Sequence, residues 1–508
     1  MSLSESTGSL ALCGRKGRAQ NTHLLLGRHL LPKSDRVSPK GDFLCDNVSM
    51  QSTIYFYGGA GSVTGSNFLL DTGGKKILID CGLEQGQHSA EESNWKPFAY
   101  EPSGVDVLVV THAHIDHIGR IPYLVKSGFK GSIISTEATR GLAGPMLKDA
   151  MELMAHEAQR HGKEPLYDED DIAAALKLWQ GTSYHKSQEI GDVTLEFLDS
   201  GHILGSAMAK FSRGGKSIVF TGDLGGGNSP LLPLCEIPFG IDYLVMESVY
   251  GDRTRPEDAN RLDQLENIIE ETVQRGGVLL IPAFSTERTQ DLLFDIRGLL
   301  VDKRVPSVPV YLDSPLAEEI TQTYVRYPEY FAPAIAKLLK GGEDIFSFPE
   351  LHFVRDAAES RRLAHQHNPK ILIAGSGMSN GGRVVGHERD ILPDEKSTLL
   401  IVGYQAAGSL GRRLVDGEKT VSIQGERIAV RCRVEHAYGY SAHMQGEQLL
   451  QFVNEVRESP TGEHGPLKQV FVVMGEPASA AFLAQRERDY LGVKATTPEA
   501  GEKATIDF

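Results

Sequence analysis

Between Thr111 and His117 the chain reads THAHIDH, which puts His112, His114, Asp116 and His117 within six residues. Imidazole nitrogens and a carboxylate at that density suit zinc or a similar divalent cation. In an extended loop alternate side chains face the same way, so His112 and His114 can grip one ion together. Asp116 and His117, one turn on, can face a second. Two ions need more ligands, and His202 in DSGHILGS and Asp223 in VFTGDLG each follow an apolar run. An aspartate at such a position can bridge two cations roughly 3.5 to 4 Å apart. Asp80, which closes ILID, reads as a carboxylate that orients a ligating histidine, with a turn or cap role as the alternative. Paired divalent ions of this kind suit hydrolysis, because they lower the pKa of an attacking water.

Such residues need rigid elements behind them. Val107 to Val110 form a continuous apolar run that reads as a buried strand ending where the histidines begin, and IGRIPYLVKSG after them reads as a short helix ending at Gly128. Upstream, TIYFY, NFLLDT and KKILIDCG alternate with Gly-rich turns and read as antiparallel strands. Downstream come two helical patterns, EATRGLAGPMLKDAMELMAHEAQRHG and DEDDIAAALKLWQ, and then four more strands up to IDYLVMES. Strands, helices and strands again predict a two-sheet sandwich flanked by helices, with the chemistry where strands stop. Past Tyr250 short apolar strands alternate with helices, the mark of a parallel α/β sheet. The expected division is 50–250 for the first part of the sandwich, 251–407 for an inserted parallel α/β domain, and 408–508 for a return to the sandwich.

Composition excludes several classes. At 508 residues the chain exceeds one compact core. Its 40% hydrophobic and 23% charged residues are ordinary for a globular protein, and no apolar run approaches the roughly 18 residues of a membrane span, so no membrane association is expected. Five scattered cysteines (Cys13, Cys45, Cys81, Cys235, Cys432) contain no C-x-x-C pair, which argues against a disulfide framework and for a reducing, cytoplasmic setting. A net charge of −15 disfavours bulk attraction to a polyanion, so any nucleic-acid contact must be local. Residues 1–49 lack the pattern of a secretory signal and read as a disordered tail or an over-called start with Met50 as initiator, a transit peptide being the lesser alternative.

Local contacts are on offer at strand-to-helix junctions. The Gly-rich SGMSNGGR, with Ser376, Gly377 and Arg383, can present backbone N–H groups to phosphate, and Ser285, Thr286 and Arg288 occupy the preceding junction. The same glycines also serve tight turns. Arg253, Arg255, Arg412 and Arg413 are further candidates for substrate binding.

The H-x-H-x-D-H cluster with a later histidine and aspartate resembles the metallo-β-lactamase fold superfamily, over essentially Met50 to the end. More narrowly, MESVYGDR, PAFSTERTQDLL, LDSPLA, GSGMSNGGR and YSAHMQGE, in that order, resemble its β-CASP branch of RNA and DNA nucleases. The resemblance implies an α/β architecture: an αββα sandwich with an inserted β-CASP domain. It implies two zinc ions per chain, His112, His114 and His202 on one, Asp116, His117 and His443 on the other, and Asp223 bridging. It places Glu247 where an acid supports proton transfer or orders a catalytic histidine, and Asp116 among the catalytic residues. His443 at the YSAH position implies RNA, since DNA-processing members tend to replace that histidine. One departure stands out: relatives carry a histidine after the GSLG-type turn, where this chain has Arg412 and Arg413. His387 in GGRVVGHE is the candidate general acid in its place.

The expected function is therefore a zinc-dependent ribonuclease acting on single-stranded RNA, in a possible homodimer. A small-ester or thioester hydrolase on the same fold is the enzymatic alternative, although such a substrate needs no inserted domain. A metal-free scaffold subunit is the non-enzymatic one.

Overall fold

The structure, a computed structural model, describes residues 51–85, 93–253, 260–405, 408–458 and 467–508. Expectations for residues 1–49 and for Arg255 fall outside the described residues.

Two seven-stranded sheets form a sandwich. The first runs, in spatial order, Lys503–Asp507, Gln51–Gly58, Asn67–Asp71, Lys76–Ile79, Val107–Val109, Ser132–Thr136 and Trp179–Thr182. The second runs Ala495–Thr496, Gln469–Val472, Tyr243–Met246, Lys216–Phe220, Ala207–Arg213, Val193–Asp199 and Gln188–Ile190. Their inner faces share one core in which Ile54, Phe56, Phe68 and Val109 of the first meet Phe197, Phe211, Phe220 and Val245 of the second. Period-two alternation builds this layer: Val107 and Val109 face the partner sheet, while Leu108 and Val110 face the helices. Outer faces are covered by Glu137–His161 and Glu169–Leu178 on one side and by Gly446–Arg457 and Pro477–Arg486 on the other. The helix Glu137–His161 starts at Thr136, whose hydroxyl accepts from Thr139 N–H, and ends at Gly162 with φ 63°.

The pattern DEDDIAAALKLWQ is not helical to its end. The helix stops at Leu178, and Trp179–Thr182 pairs in parallel with Ser132–Thr136. Trp179 decides this, because its buried indole donates to Ser135 Oγ at 2.8 Å, a partner reached only from the sheet.

A third sheet of six strands runs Leu351–Phe353, Val310–Asp313, Lys370–Ala374, Val278–Pro282, Thr398–Ile401 and Arg433–His436. All of its pairings are parallel, so the strand-to-helix junctions at 283–287 and 375–383 lie at one edge. This sheet runs on past residue 407, where the sequence placed the return to the sandwich. Between 407 and Arg433 the chain makes the helix Leu410–Val415 and a hairpin, Thr420–Ile423 with Glu426–Ala429, before Arg433–His436 adds the last parallel strand. Short strands in that stretch read alike whichever sheet they join. Among the described residues no helix is long and apolar enough to cross a membrane.

Candidate metal centre

Strand Val107–Val109 ends in extended backbone that carries His112 and His114, and a helical turn, Ile115–Ile118, then carries Asp116 and His117. The turn is seated closely on the loop after Lys76–Ile79 and on the residue before Asn67–Asp71: Cys81 N–H donates to His117 O at 2.8 Å and Ser66 N–H to Asp116 O at 2.9 Å. A Cβ on Gly82 would sit 1.5 Å from Asp116 O, so only glycine permits this approach.

Four ligand atoms converge on one point. His112 Nε2 lies 3.0 Å from His114 Nδ1, which lies 3.2 Å from His202 Nε2. Asp223 Oδ2 is 3.5 Å from His112 Nε2 and 3.3 Å from His202 Nε2. Ligands 2.0–2.1 Å from a tetrahedral zinc are roughly 3.3 Å apart, so this set fits the ion. Burial holds His112 and His202 well below the ordinary imidazole range and brings His114 down to about 3, which keeps all three in the neutral form that ligates.

A second set begins on the other oxygen of Asp223. His117 Nε2 lies 3.3 Å from Asp223 Oδ1 and 3.9 Å from Asp116 Oδ2. Neither His117 Nε2 nor Asp223 Oδ1 makes a well-aligned hydrogen bond; buried, they face each other, and against the opposing effect of burial the Asp223 and Asp80 carboxylates push the His117 imidazole well above its ordinary range, so a cation there would take the place of a proton. Asp223, Glu247 and His443 offer ligand atoms within 4.8 Å of one another. Of these three, Glu247 already has its acceptors filled: it takes the N–H of Leu224 at 2.6 Å and of Val249 at 3.3 Å, and faces His443 Nδ1 at 3.1 Å. Its contacts orient His443 and leave that ring's Nε2 as the free nitrogen. Burial raises the Glu247 carboxyl, with His443 opposing the shift, and raises that of Asp116 to about 6.

Asp80 sits beneath the cluster. Its carboxylate receives Thr111 N–H at 2.8 Å, Thr111 Oγ1 at 2.9 Å, Ser66 Oγ at 3.1 Å and His117 Nδ1 at 2.7 Å. With Nδ1 committed there, Nε2 is the His117 nitrogen left to face the site. The backbone at Asp80 is left-handed, φ 58°, which costs about 1 kcal/mol or more in a residue with a Cβ and is offset by those four bonds. Thr111 was missed by sequence reasoning. Its hydroxyl donates to Asp80 and is 3.1 Å from His112 Nδ1, and the signal was its place between strand and histidines.

Comparison with known proteins finds three family models along the chain. Residues 60–307 match the metallo-beta-lactamase superfamily, 289–414 the Beta-Casp domain, and 427–498 a Zn-dependent metallo-hydrolase RNA specificity domain. Ribonuclease TTHA0252 of Thermus thermophilus is 34% identical over 78% of this chain and 89% of its own length. The chain belongs to the metallo-β-lactamase superfamily, in its β-CASP branch. It is a metal-dependent hydrolase of the nuclease type. Transcription termination factor FttA of Methanosarcina mazei is 33% identical over 84% of this chain and 68% of that protein, and FttA of Methanocaldococcus jannaschii 30% identical over 86% and 68%.

In the β-CASP sheet the expected contact residues divide sharply. Ser285, Thr286 and Arg288 lie between Val278–Pro282 and the helix Arg288–Val301; Thr286 and Arg288 are buried. Ser376 and Gly377 follow Lys370–Ala374, and Gly377 comes so near Phe284 that a Cβ would meet the ring at 2.6 Å, which packs the two junctions together. Arg383, by contrast, is spent inward: it donates to Asp313 at 2.6 Å and to the carbonyls of Val354 and Arg355, each at 2.9 Å. Arg412 pairs with Asp416 at 3.0 Å and Arg413 with Glu418 at 2.7 Å. Arg253 stacks over Tyr250 and Tyr404. His387 is not at the metal-type cluster either. Its buried Nε2 is 2.6 Å from Asp313 Oδ2, beside Ser360 and Arg383, so it ties together a strand-to-helix junction.

Proposed function

We propose that the chain is a zinc-dependent ribonuclease hydrolysing phosphodiesters of single-stranded RNA, in a cytoplasmic setting. The observation that carries this reading is the convergence of three imidazole nitrogens on one oxygen of Asp223, with His117 Nε2 buried against its other oxygen at 3.3 Å. Zinc held there neutralises phosphate charge and lowers the pKa of water. His112, His114, His202 and Asp223 would hold one ion, and Asp116, His117, His443 and Asp223 the other. Asp80 fixes the tautomer of His117, and Glu247 holds the Nδ1 proton of His443 through the reaction. RNA is favoured as substrate by the names of the relatives, a ribonuclease and transcription termination factors, and by the match of 427–498 to an RNA specificity domain.

Elemental analysis of the purified chain tests the metal assignment. Two zinc ions per chain, removed together with RNA cleavage by a strong chelator, is the expected result. Full cleavage by chelated, metal-free protein would refute it.

A further inference from the structure

Beside His202, away from the converging ligand atoms, lies a narrow cavity of about 10 Å³, lined by His202, Ser229, Arg288, Asp291, Tyr440 and Ser441 among others. That volume admits a single oxygen-sized guest. Three features of its wall are unusual together. Arg288 is 6% exposed, yet among the described residues no carboxylate or other acceptor bonds its guanidinium. The carboxylates of Glu287 and Asp291 are close enough for their charge to act on Arg288, yet neither bonds it: Asp291 accepts from Ser229 Oγ at 2.7 Å and from Arg261 at 3.2 Å, and Glu287 faces the Tyr324 hydroxyl at 3.3 Å with its other oxygen buried and unpartnered. Ser441 Oγ and His202 Nδ1, also at this wall, are buried with no partner.

A buried guanidinium with no acceptor on its N–H groups is expensive, and two buried donors beside it add to the cost. Such an arrangement persists where a ligand completes it. The cavity is lined by His202 itself and by Ser441 and Ala442 of the loop that carries His443, so a ligand held there would lie beside the metal centre. We propose that this cavity receives a non-bridging oxygen of the phosphodiester, with the Arg288 guanidinium and the Ser441 hydroxyl as its donors. The proposal rests on the nuclease reading for its substrate, but not for the chemistry of the pocket, which is that of a phosphate group. Guanidinium suits this task, since it is weakly hydrated and its rigid N–H groups can aim at one oxygen from a fixed direction, where an ammonium is a strongly hydrated point charge. The pocket draws on the β-CASP helix for arginine and on the YSAH loop for serine, so the phosphate would be gripped only when both parts of the chain are in place.

The test is calorimetric titration of inorganic phosphate into zinc-loaded full-length protein, beside RNA kinetics. Arg288→Gln should keep both zinc ions and weaken phosphate roughly tenfold or more, with Arg288→Lys between it and the parent. It should lower kcat by about 100-fold, as loss of one donor to a developing charge does. Guanidinium chloride should restore part of the rate of Arg288→Ala. Ser441→Ala, a smaller change, should weaken phosphate about threefold without disturbing the fold. Unchanged phosphate affinity in both Arg288→Gln and Ser441→Ala would overturn the proposal and leave the cavity to a structural water. So would loss of zinc or folding in the Arg288 variants with Ser441→Ala at parental affinity. If phosphate binding depends on Arg288 while the parent leaves RNA intact, the pocket stands and the nuclease reading falls. If RNA is cut and the variants match the parent in both assays, the reverse holds.

Discussion

The metal-type cluster and the strand-to-helix junctions of the β-CASP sheet are both rich in charged side chains, yet they dispose of them in opposite ways. At the cluster, partners such as Thr111, Asp80 and Glu247 occupy one side of a ligand and leave the other side bare, toward a common point. At the junctions Arg383 and His387 are taken up by the buried Asp313, and Arg412 and Arg413 lie in exposed pairs with Asp416 and Glu418. A functional donor is recognised here by what it leaves unsatisfied. Charge by itself marks structure as often as chemistry.

Breaking the cluster side of this contrast should have the largest effect. Asp223→Ala removes an acceptor shared by both groups of ligand atoms, so zinc content and RNA cleavage should both fall to background, read by elemental analysis and turnover. Retention of two zinc ions would place the bridge elsewhere. Glu247→Gln keeps the shape and an acceptor for His443 Nδ1 but removes the charge, so metal should stay while the rate drops by about 100-fold. A parental rate would reduce Glu247 to packing. The smallest effect belongs to the junction side: His387→Asn should cost about 2 kcal/mol in thermal or denaturant unfolding by loosening the Asp313 network, with zinc content and turnover near those of the parent. A collapse of turnover with an intact fold would restore His387 as an acid.

What the sequence disclosed follows the same contrast. The antiparallel start, the buried run before the histidines and the alternation past Tyr250 were legible because each carries a period of hydrophobicity that only one kind of element satisfies. The cluster was legible because His112, His114, Asp116 and His117 are close in sequence and have few structural excuses. The end of the helix at Leu178 was not, because LKLW suits a helix end and a buried strand equally until Trp179 finds Ser135. Arg383 and Arg413 looked like phosphate contacts because their carboxylate partners, Asp313 and Glu418, cannot be inferred from spacing. Arg288 differs from them only in lacking such a partner, a distinction that exists in three dimensions alone.

The central claim is that this centre cuts RNA, and the most direct measurement is a time course on end-labelled single-stranded RNA, with DNA of the same sequence and a small thioester alongside. Zinc-loaded protein should cleave the RNA fastest, stop on chelation and resume when zinc is returned, with discrimination against DNA through the ribose 2′-hydroxyl. Equal or faster cleavage of DNA, or rapid thioester hydrolysis with the RNA intact, would contradict the account.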